Sequence, residues 1–326
     1  MSKEALYPII SQPVFQDYIW GGWRLRDRLG KKPDRDLACM AESWELSTHP
    51  HGQSLVANGP FAGQTFAAYL QAMGPQVLGN HGKTDLDILI KYLDVRDTLS
   101  VQVHPDDAYA AAHEHGGRGK TEMWYIVDAD PDSYIYYGFD HTMTRQQFAD
   151  SIKNNTIEKN LRKINVHPGE FVFIDSGTLH AAAKNCLIAE IQQNCDLTYR
   201  VYDYDRRGPD GQPRELHIDK ALDVTTLTPV PMTLPQTAIT ISDGNICQVL
   251  VSCPYFAVAK LTLTDHYRST VTPDTFQTIM AISGQFSLQQ GGQTYDLPTG
   301  TTVFLPANLG DYQIAGHGEL LLITQA

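Results

Sequence analysis

The sequence of 326 residues has 37 acidic and 25 basic side chains, a formal net charge of −12, and 42% hydrophobic residues. This length allows two domains or one large one, with ample apolar residues for a buried core. Nucleic-acid binders need a basic surface, so the acidic balance argues against DNA or RNA as a partner. No apolar run approaches the roughly 20 residues that span a bilayer, which argues against a membrane partner.

The first ten residues, MSKEALYPII, lack the basic segment and long apolar segment of a signal peptide. Five cysteines occur at irregular spacing with no CxxC motif: Cys39, Cys186, Cys195, Cys247 and Cys253. Unpaired thiols of this kind are typical of a reducing compartment. We therefore expect a cytoplasmic protein, and nothing in the sequence fixes its oligomeric state.

Helix signals are few, and most of the chain up to residue 204 has the pattern of strands. Thr65 and Gly74 bound a short predicted helix, Thr144 and Gln147 form a capping box for a helix over 144–155, and 215–225 is a helix or a turn. Runs rich in β-branched and aromatic residues predict strands at 87–93, 97–104, 121–129, 133–139, 170–174, 187–193 and 197–204.

Three prolines in the segment 225–235 favour an extended linker and exclude a helix. We place a domain boundary there, between residues 228 and 229. Short runs separated by glycine-rich turns then predict a sandwich or jelly roll, with strands at 245–252, 255–264, 276–283, 285–290 and 301–306.

The two parts resemble each other. The string 169-GEFVFIDSGTLH-180 aligns with 300-GTTVFLPANLGD-311 at an offset of 131 residues, since Gly169 matches Gly300. Each string opens with glycine, continues through an apolar run containing Val-Phe, and closes in a turn. The second copy has Asp311 where the first has His180. We infer two copies of one β unit, the second without this histidine.

The run 98-TLSVQVHPDD-107 alternates apolar and polar residues with the period of a strand. Its polar face holds Gln102 and His104, while Glu122 and His180 follow at two later strands. Two histidines and a carboxylate, with a neutral amide oxygen, form a typical set for Zn²⁺, Fe²⁺ or Mn²⁺. Three or four protein ligands leave a position for water or substrate, as in catalytic sites.

The chain has 12 histidines, so spacing alone is weak evidence. His49 and His51, like most of the others, are expected to be ordinary surface or hydrogen-bonded side chains. His217 is less clear, since it lies near the predicted site.

Several strings carry a resemblance to a known family. Gly169, Asp175, Gly177 and His180 resemble the second motif of the cupin superfamily, and 102-QVH-104 resembles the first with Gln in place of a His. More narrowly, residues from about 14 to 226 are similar to the short bacterial form of type I mannose-6-phosphate isomerase. The matching strings are 20-WGG-22, 42-ESWELS-47, 99-LSVQVHPDD-107, 119-GKTEMWYI-126, 175-DSGTLHA-181, 197-LTYRVYDYDR-206 and 218-IDKALDV-224.

The resemblance implies a mainly β fold of two cupin-like jelly-roll domains with a few short helices. A catalytic metal-binding domain would cover residues 1–228, and a degenerate, metal-free cupin domain would cover residues 229–326. On this basis the polar face of the 98–107 strand lines a cavity, and Val101 and Val103 pack in the core.

The resemblance also implies roles for individual residues. His104, Glu122 and His180 match the zinc ligands, and Gln102 matches a fourth, for one Zn²⁺ per chain. The remaining matches are to an active-site arginine at Arg200, and to substrate contacts at Ser100, Lys120, Glu190 and Arg200 itself. From the residues alone, Arg200 could equally pair with Asp203 or Asp205 on the face of a sheet.

The implied reaction interconverts mannose 6-phosphate and fructose 6-phosphate through a cis-enediol. The base stays open between Glu190, Lys120 and a zinc-bound water. For the phosphate, Arg200 and Lys120 are the first choices, and Lys91, Arg118 and Lys220 are secondary ones. Two alternatives remain. One is a cupin-type non-haem iron oxygenase, because two histidines and a carboxylate also bind iron in those enzymes. The other is a non-catalytic sugar-binding cupin.

Overall fold

The computed structural model describes residues 5–80, 82–182, 184–208 and 211–325. The fold is mainly β, with 42% strand and 16% helix, as predicted. In the first part of the described chain the strands are β1 (Ile9–Gln12), β2 (Val14–Gln16), β3 (Glu42–Leu46), β4 (Leu55–Val56), β5 (Ile88–Val95), β6 (Val101–Val103), β7 (Glu122–Ala129), β8 (Tyr134–Phe139), β9 (Leu161–Asn165), β10 (Phe171–Ile174), β11 (His180–Ala182), β12 (Cys186–Gln193) and β13 (Tyr199–Tyr202).

In the second part, the described residues form strands, with one short 3₁₀ turn at Ser242–Gly244. Its strands are β14 (Ile239–Thr240), β15 (Ile246–Ser252), β16 (Phe256–Leu263), β17 (His266–Val271), β18 (Gln277–Gln290), β19 (Gln293–Pro298), β20 (Thr302–Leu305) and β21 (Gly310–Gln325). The α-helices of the first part are α1 (Arg24–Leu29), α2 (Phe66–Met73), α3 (Asp107–His113), α4 (Arg145–Lys153) and α5 (Ile218–Val224). None of the described helices is long and apolar enough to cross a bilayer.

The predicted helix signals hold. The Thr65 hydroxyl caps α2 by accepting from the Ala68 N–H, and Gly74 ends that helix. Thr144 and Gln147 form the complete capping box of α4. Sequence patterns missed α1 and α3. Asp106 is the N-cap of α3, so the string HPDD both ends a strand and begins a helix.

Two sheets form the sandwich of the first unit. One has the order β10-β7-β12-β5-β3-β2 and the other has the order β13-β6-β11-β8-β9. They pack face to face through a buried cluster that includes Trp124, Ile188, Ile135 and Tyr137. The outer face of the second sheet is covered by α4 and α5 through another cluster, which contains Val101 and Val103.

The second unit is a ten-stranded sheet that also takes in strands from the start of the chain. β1 pairs with β20, with Ile9 opposite Phe304, and β4 pairs with β1. These strands cover what would otherwise be an open sheet edge. The sheet of the second unit therefore includes residues that precede the predicted boundary at 228/229 by about two hundred positions.

Gly284 does not form the turn that the sequence pattern predicted between two strands. It lies inside β18, next to a register shift between Ala281 and Ser283. Its φ is +98°, and a Cβ there would approach the His317 carbonyl oxygen to 2.0 Å. Glycine at this position permits a bulge and a close backbone approach.

The internal repeat is visible in the backbone. Gly169 and Gly300 have φ values of +90° and +87°, and Gly177 and Asn308, eight positions after each, have +84° and +64°. The strands between them, β10 and β20, stand at the same offset of 131 residues.

The pairing of strands is also similar in the two units. Glu122 lies opposite Ile174, and Gln277 lies opposite Leu305 at the matching position of the second unit. In the same way, Gln102 pairs with His180 in the first unit. The second unit has Thr270 paired with Asp311 at these places.

Candidate active site and metal centre

β6 places its two faces in different surroundings. Val101 and Val103 are fully buried in the core beneath α4 and α5. Ser100 and Gln102 point to the opposite side, where they line a cavity, and His104 is buried directly beyond them. The polar face of this segment therefore lines the interior of the molecule, as predicted from the sequence.

His104, Glu122 and His180 come together from three strands or strand ends beneath this cavity. Their ligand atoms lie within 4.8 Å of one another, and all three side chains are buried. The Nε2 atom of His180 is 3.2 Å from Glu122 Oε1, and that of His104 is 3.7 Å from Glu122 Oε2. Residues separated by up to 76 positions thus form one group.

Each imidazole is oriented by a backbone carbonyl. His104 Nδ1 lies 2.7 Å from the Leu197 carbonyl oxygen, and His180 Nδ1 lies 2.8 Å from that of Thr178. A proton on each Nδ1 leaves the Nε2 lone pair free and directed at Glu122, the usual arrangement of a metal-binding histidine.

Polar atoms in this group are left without hydrogen-bond partners. Within the described residues, buried His104 Nε2 has no hydrogen-bond partner. The two buried carboxylate oxygens of Glu122 make no hydrogen bond of normal geometry and have only close approaches, Oε1 to His180 Nε2 at 3.2 Å and Oε2 to Lys120 Nζ at 2.9 Å. Buried polar atoms normally find partners, and a missing one costs roughly 1–3 kcal/mol. A divalent cation would satisfy all three, so the residues fit a metal of the zinc type.

Protonation states agree with this fit. Burial is the largest cause that holds the pKa of His104 well below its usual value, so its imidazole is neutral at pH 7. Burial alone would raise the pKa of Glu122, but the Lys120 ammonium and both histidines outweigh it and hold that pKa well below its usual range. The group therefore offers the neutral imidazole of His104 and the ionised carboxylate of Glu122.

Gln102 lies beside this group. Its side-chain amide nitrogen is 3.4 Å from His180 Nε2, and its amide oxygen is 3.5 Å from the Ser100 hydroxyl. The predicted fourth ligand is thus adjacent to the three others and half-buried at the floor of the cavity.

Lys120 and Glu190 extend the polar floor. Lys120 Nζ is 2.9 Å from Glu122 Oε2 and 3.6 Å from Glu190 Oε1, and the Trp124 indole donates to Glu190 at 3.2 Å. Burial, aided by the charge of Glu122, raises the pKa of Glu190 to about 8. Burial disfavours the Lys120 ammonium, but Glu122 and Glu190 outweigh it and raise the pKa of that lysine.

The cavity above these residues has a volume of about 390 Å³. Arg200 also lines this cavity, and it donates to the Ser100 hydroxyl at 3.2 Å and to the Glu215 carbonyl at 2.9 Å. Among the described residues no carboxylate pairs with Arg200. Asp203 instead pairs with Arg206 and Arg214, so the alternative in which Arg200 pairs with Asp203 is wrong.

The secondary phosphate candidates separate in space. Lys91 lines the cavity, 3.4 Å from Glu42 and over the ring of Trp44. Arg118 pairs with Asp87, and Lys220 pairs with Glu114 at 2.6 Å. Neither of these last two is among the lining residues.

Several lining residues were not predicted as site residues. The quoted strings 20-WGG-22 and 42-ESWELS-47 contain three of them, so those matches carried a usable signal. No spacing in the sequence pointed to the rest, which converge only in the fold. The unpredicted lining residues include Trp20, Glu42, Trp44, Tyr18, Asp196, Arg214 and His217.

A larger and shallower groove of about 700 Å³ lies on the second unit, around Arg268, Asp311 and Tyr312. Its lining contains no histidine, cysteine or lysine. We assign the chemistry to the smaller of these two cavities, because within the described residues it adjoins the buried group of His104, Glu122 and His180.

A β sandwich that buries two histidines and a carboxylate under a polar cavity, followed by a related unit without them, defines a cupin-type enzyme. Residues 9–136 match the family model described as phosphomannose isomerase type I, catalytic domain, and residues 245–325 match the model described as mannose-6-phosphate isomerase, cupin domain. The chain belongs to the type I phosphomannose isomerase family, and it is an isomerase. The predicted family and fold class are thereby confirmed.

Relatives match over nearly the full length. The probable mannose-6-phosphate isomerase GmuF of Bacillus subtilis is 38% identical, covering 97% of this chain and 98% of that protein. The mannose-6-phosphate isomerase ManA of the same organism is 36% identical over similar shares, 97% and 98%. The crystal structure of a mannose 6-phosphate isomerase from Bacillus subtilis superposes with a TM-score of 0.90 at 38% identity, covering 97% of this chain and 99% of that one.

Proposed function

We propose that this chain interconverts mannose 6-phosphate and fructose 6-phosphate through a cis-enediol, with one Zn²⁺ held by His104, Glu122 and His180. Gln102 would be a further ligand. The observation that carries the proposal is the convergence of two oriented Nε2 atoms on Glu122 beneath an open polar cavity. Family membership supports the substrate, since the relatives are named for it.

Bound zinc would supply a Lewis acid for the negative charge that develops on a sugar oxygen during isomerisation. The chain's own part is to hold the ligands in place. The Leu197 and Thr178 carbonyls keep His104 and His180 in the required tautomer. Lys120, 2.9 Å from Glu122, balances the charge of that buried carboxylate.

Arg200 is the best candidate for the phosphate. It lines the cavity without a carboxylate partner in the described chain, whereas Arg214 is paired with Asp203, which it shares with Arg206. A planar guanidinium can bind two phosphate oxygens at once. The Ser100 hydroxyl, 3.2 Å from Arg200 Nε, would add a hydrogen bond beside it.

Lys120 and Glu190 are titratable, line the cavity and lie next to the metal group. Glu190 is the better candidate for the proton transfer between C1 and C2, because a carboxyl with a pKa of about 8 is partly ionised at pH 7, whereas the raised pKa of Lys120 keeps that lysine protonated. Glu190→Gln and Lys120→Met would identify the base, since losing the base lowers kcat by about 10²–10⁴-fold.

The second unit, residues 229–326, would be metal-free and serve the fold. In support, its register puts Thr270, Gln277 and Asp311 where the first unit has Gln102, Glu122 and His180. Asp311 is exposed and accepts from Thr270, while Gln277 accepts from the Tyr312 hydroxyl at 2.7 Å.

The test is a coupled assay of fructose 6-phosphate formation from mannose 6-phosphate, before chelation, after chelation, and after Zn²⁺ is restored. We expect activity to disappear with the metal and to return with one equivalent of zinc. Zinc-loaded protein with no isomerase activity would refute the proposal and leave the oxygenase and sugar-binding alternatives to be tested with iron, oxygen and free sugars.

A further inference from the structure

The carbonyl that orients His104 belongs to a short irregular segment. Residues 194–198 connect β12 to β13 and have no regular secondary structure. Leu197, in the middle of this segment, accepts the hydrogen bond from His104 Nδ1 at 2.7 Å. The position of the segment therefore decides whether the ring of His104 keeps its tautomer and its direction.

One side chain of this segment is held from both sides. The two carboxylate oxygens of Asp196 face two imidazoles, with Oδ1 3.4 Å from His49 Nε2 and Oδ2 2.5 Å from His51 Nδ1. Asp196 immediately precedes Leu197, so a shift of its backbone would move the Leu197 carbonyl.

The two histidines are fixed by a tight turn after β3. Ser47 Oγ donates to the Gly52 carbonyl and accepts from the His49 N–H at 3.1 Å. The His51 N–H donates to His49 Nδ1 at 3.2 Å. Because Nδ1 accepts this bond, the ring proton of neutral His49 lies on Nε2, the atom that faces Asp196.

The turn itself packs on the wall of the cavity. A Cβ at Gly52 would lie 2.8 Å from the ring of Trp44, and the His49 ring meets that indole edge-on at 5.7 Å. Trp44 lines the cavity, but neither His49 nor His51 does. These two histidines are therefore placed to act on the site through Asp196 and not through contact with substrate.

We propose that His49 and His51 are positioning residues for the metal centre, acting through Asp196 and the Leu197 carbonyl on His104. The inference rests on the proposed function, in which His104 binds zinc. The side chain of His49 is 13% exposed and that of His51 is 72% exposed. His51 makes the shorter contact with Asp196, but a contact this exposed to solvent contributes little, so we assign the larger share to the shielded ring of His49.

The experiment measures zinc release from the zinc-loaded full chain to a chromophoric chelator, with circular dichroism and thermal unfolding as checks of the fold. His49→Leu removes the contact with Asp196, whereas His49→Gln keeps an N–H donor near the position of Nε2. We expect His49→Leu to release zinc about 10–100-fold faster than the unaltered chain, the usual effect of losing a partner that orients a ligand. The zinc-release rate of His49→Gln should lie close to that of the unaltered chain, and His51→Leu should change the release rate only a few-fold.

His141→Leu is the matched control, because His141 is an exposed imidazole paired with the neighbouring Asp140, outside the site. It should leave zinc release unchanged. Equal release rates for His49→Leu and the unaltered chain would overturn the inference, as would a loss in His49→Leu that His49→Gln does not restore. If His49→Leu does not fold, Asp196→Asn makes the same test, with faster release supporting the inference and unchanged release overturning it.

Failure of the proposed function would look different. In that case the unaltered chain would bind no zinc, or His180→Ala would retain zinc as tightly as the unaltered chain does.

Discussion

Arg200 and Arg214 line the same cavity but differ in their partners. Arg214 is paired with Asp203, which also pairs with Arg206, and no described carboxylate pairs with Arg200. We expect Arg200→Lys to lower kcat/KM by about 10–100-fold, because a charged hydrogen bond contributes roughly 1.5–3 kcal/mol and lysine cannot bind phosphate bidentately. Zinc content should be unchanged.

Steady-state kinetics with mannose 6-phosphate measure this effect, and Arg214→Lys is the comparison. Its effect on kcat/KM should be smaller. Equal losses in the two variants would contradict the assignment of the phosphate to Arg200.

Asp94 gives a pH-dependent prediction. The Asp94 carboxylate accepts a hydrogen bond from the backbone N–H of Arg24. A Cβ added at Gly22 would lie 2.7 Å from the same carboxylate, which explains the second glycine of 20-WGG-22. Burial is the largest cause that raises the pKa of Asp94 to about 6 from a usual value of 3.8. Between these values the folded chain binds more protons than the unfolded chain, so this group's contribution to the free energy of unfolding falls as pH rises.

Asp94→Asn removes this dependence. The free energy of unfolding of the unaltered chain, minus that of Asp94→Asn, should fall by about 1–2 kcal/mol as the pH rises from about 4 to about 7, after allowance for solvent screening. Urea unfolding of both proteins at several pH values measures the difference. A difference that stays constant with pH would contradict the shifted pKa of Asp94.

At the residue scale, the sequence predicted the side chains that stand in short recognisable strings, such as His104, Glu122 and His180. It did not predict that Arg214 and His217 line the cavity. His49 was expected to be an ordinary hydrogen-bonded histidine, and only the structure reveals that its partner adjoins the carbonyl that orients His104.

At the scale of elements, local signals were reliable where a side chain bonds to its own backbone. The capping box of α4 is an example, since Thr144 and Gln147 bond reciprocally with each other's N–H. Strand ends were less predictable, because pairing partners decide them. β18 continues through Gly284 since β21 supplies partners on both sides of the bulge.

The capping box gives a stability prediction. Thr144→Ala should lower the free energy of unfolding by about 1 kcal/mol, because the first turn of α4 loses a hydrogen-bond acceptor. Urea unfolding followed by circular dichroism measures it. The exposed Thr142, two residues earlier and outside the helix, gives the control variant Thr142→Ala, which should change stability by less than about 0.5 kcal/mol. Equal effects of the two variants would contradict the capping role.

At the scale of the whole molecule, the offset of 131 residues in the sequence predicted two related β units. It could not predict that β1 joins the sheet of the second unit, because Ile9 and Phe304 pair across almost the entire chain and leave no local pattern. The same holds for the burial of Lys31, which depends on contacts with residues far along the chain.

Lys31 links the two units. Its ammonium is 2.6 Å from Glu45 in β3 and donates at 2.6 Å to the carbonyl of Gly300, which precedes β20. Lys31→Met should lower the free energy of unfolding by about 3–5 kcal/mol, since it leaves the carboxylate of Glu45 buried without its cation. The double variant Lys31→Met/Glu45→Leu should recover much of this loss. Thermal and urea unfolding test both, and a double variant no more stable than Lys31→Met would contradict the account.

The central claim is that a zinc ion at His104, Glu122 and His180 supports the isomerisation of mannose 6-phosphate. The most direct measurement is zinc content and isomerase activity determined together on the unaltered chain and on His180→Ala. The account predicts one zinc per unaltered chain, and a folded variant that has lost both the metal and at least about 100-fold of the activity. A His180→Ala variant that keeps full activity without zinc would contradict it.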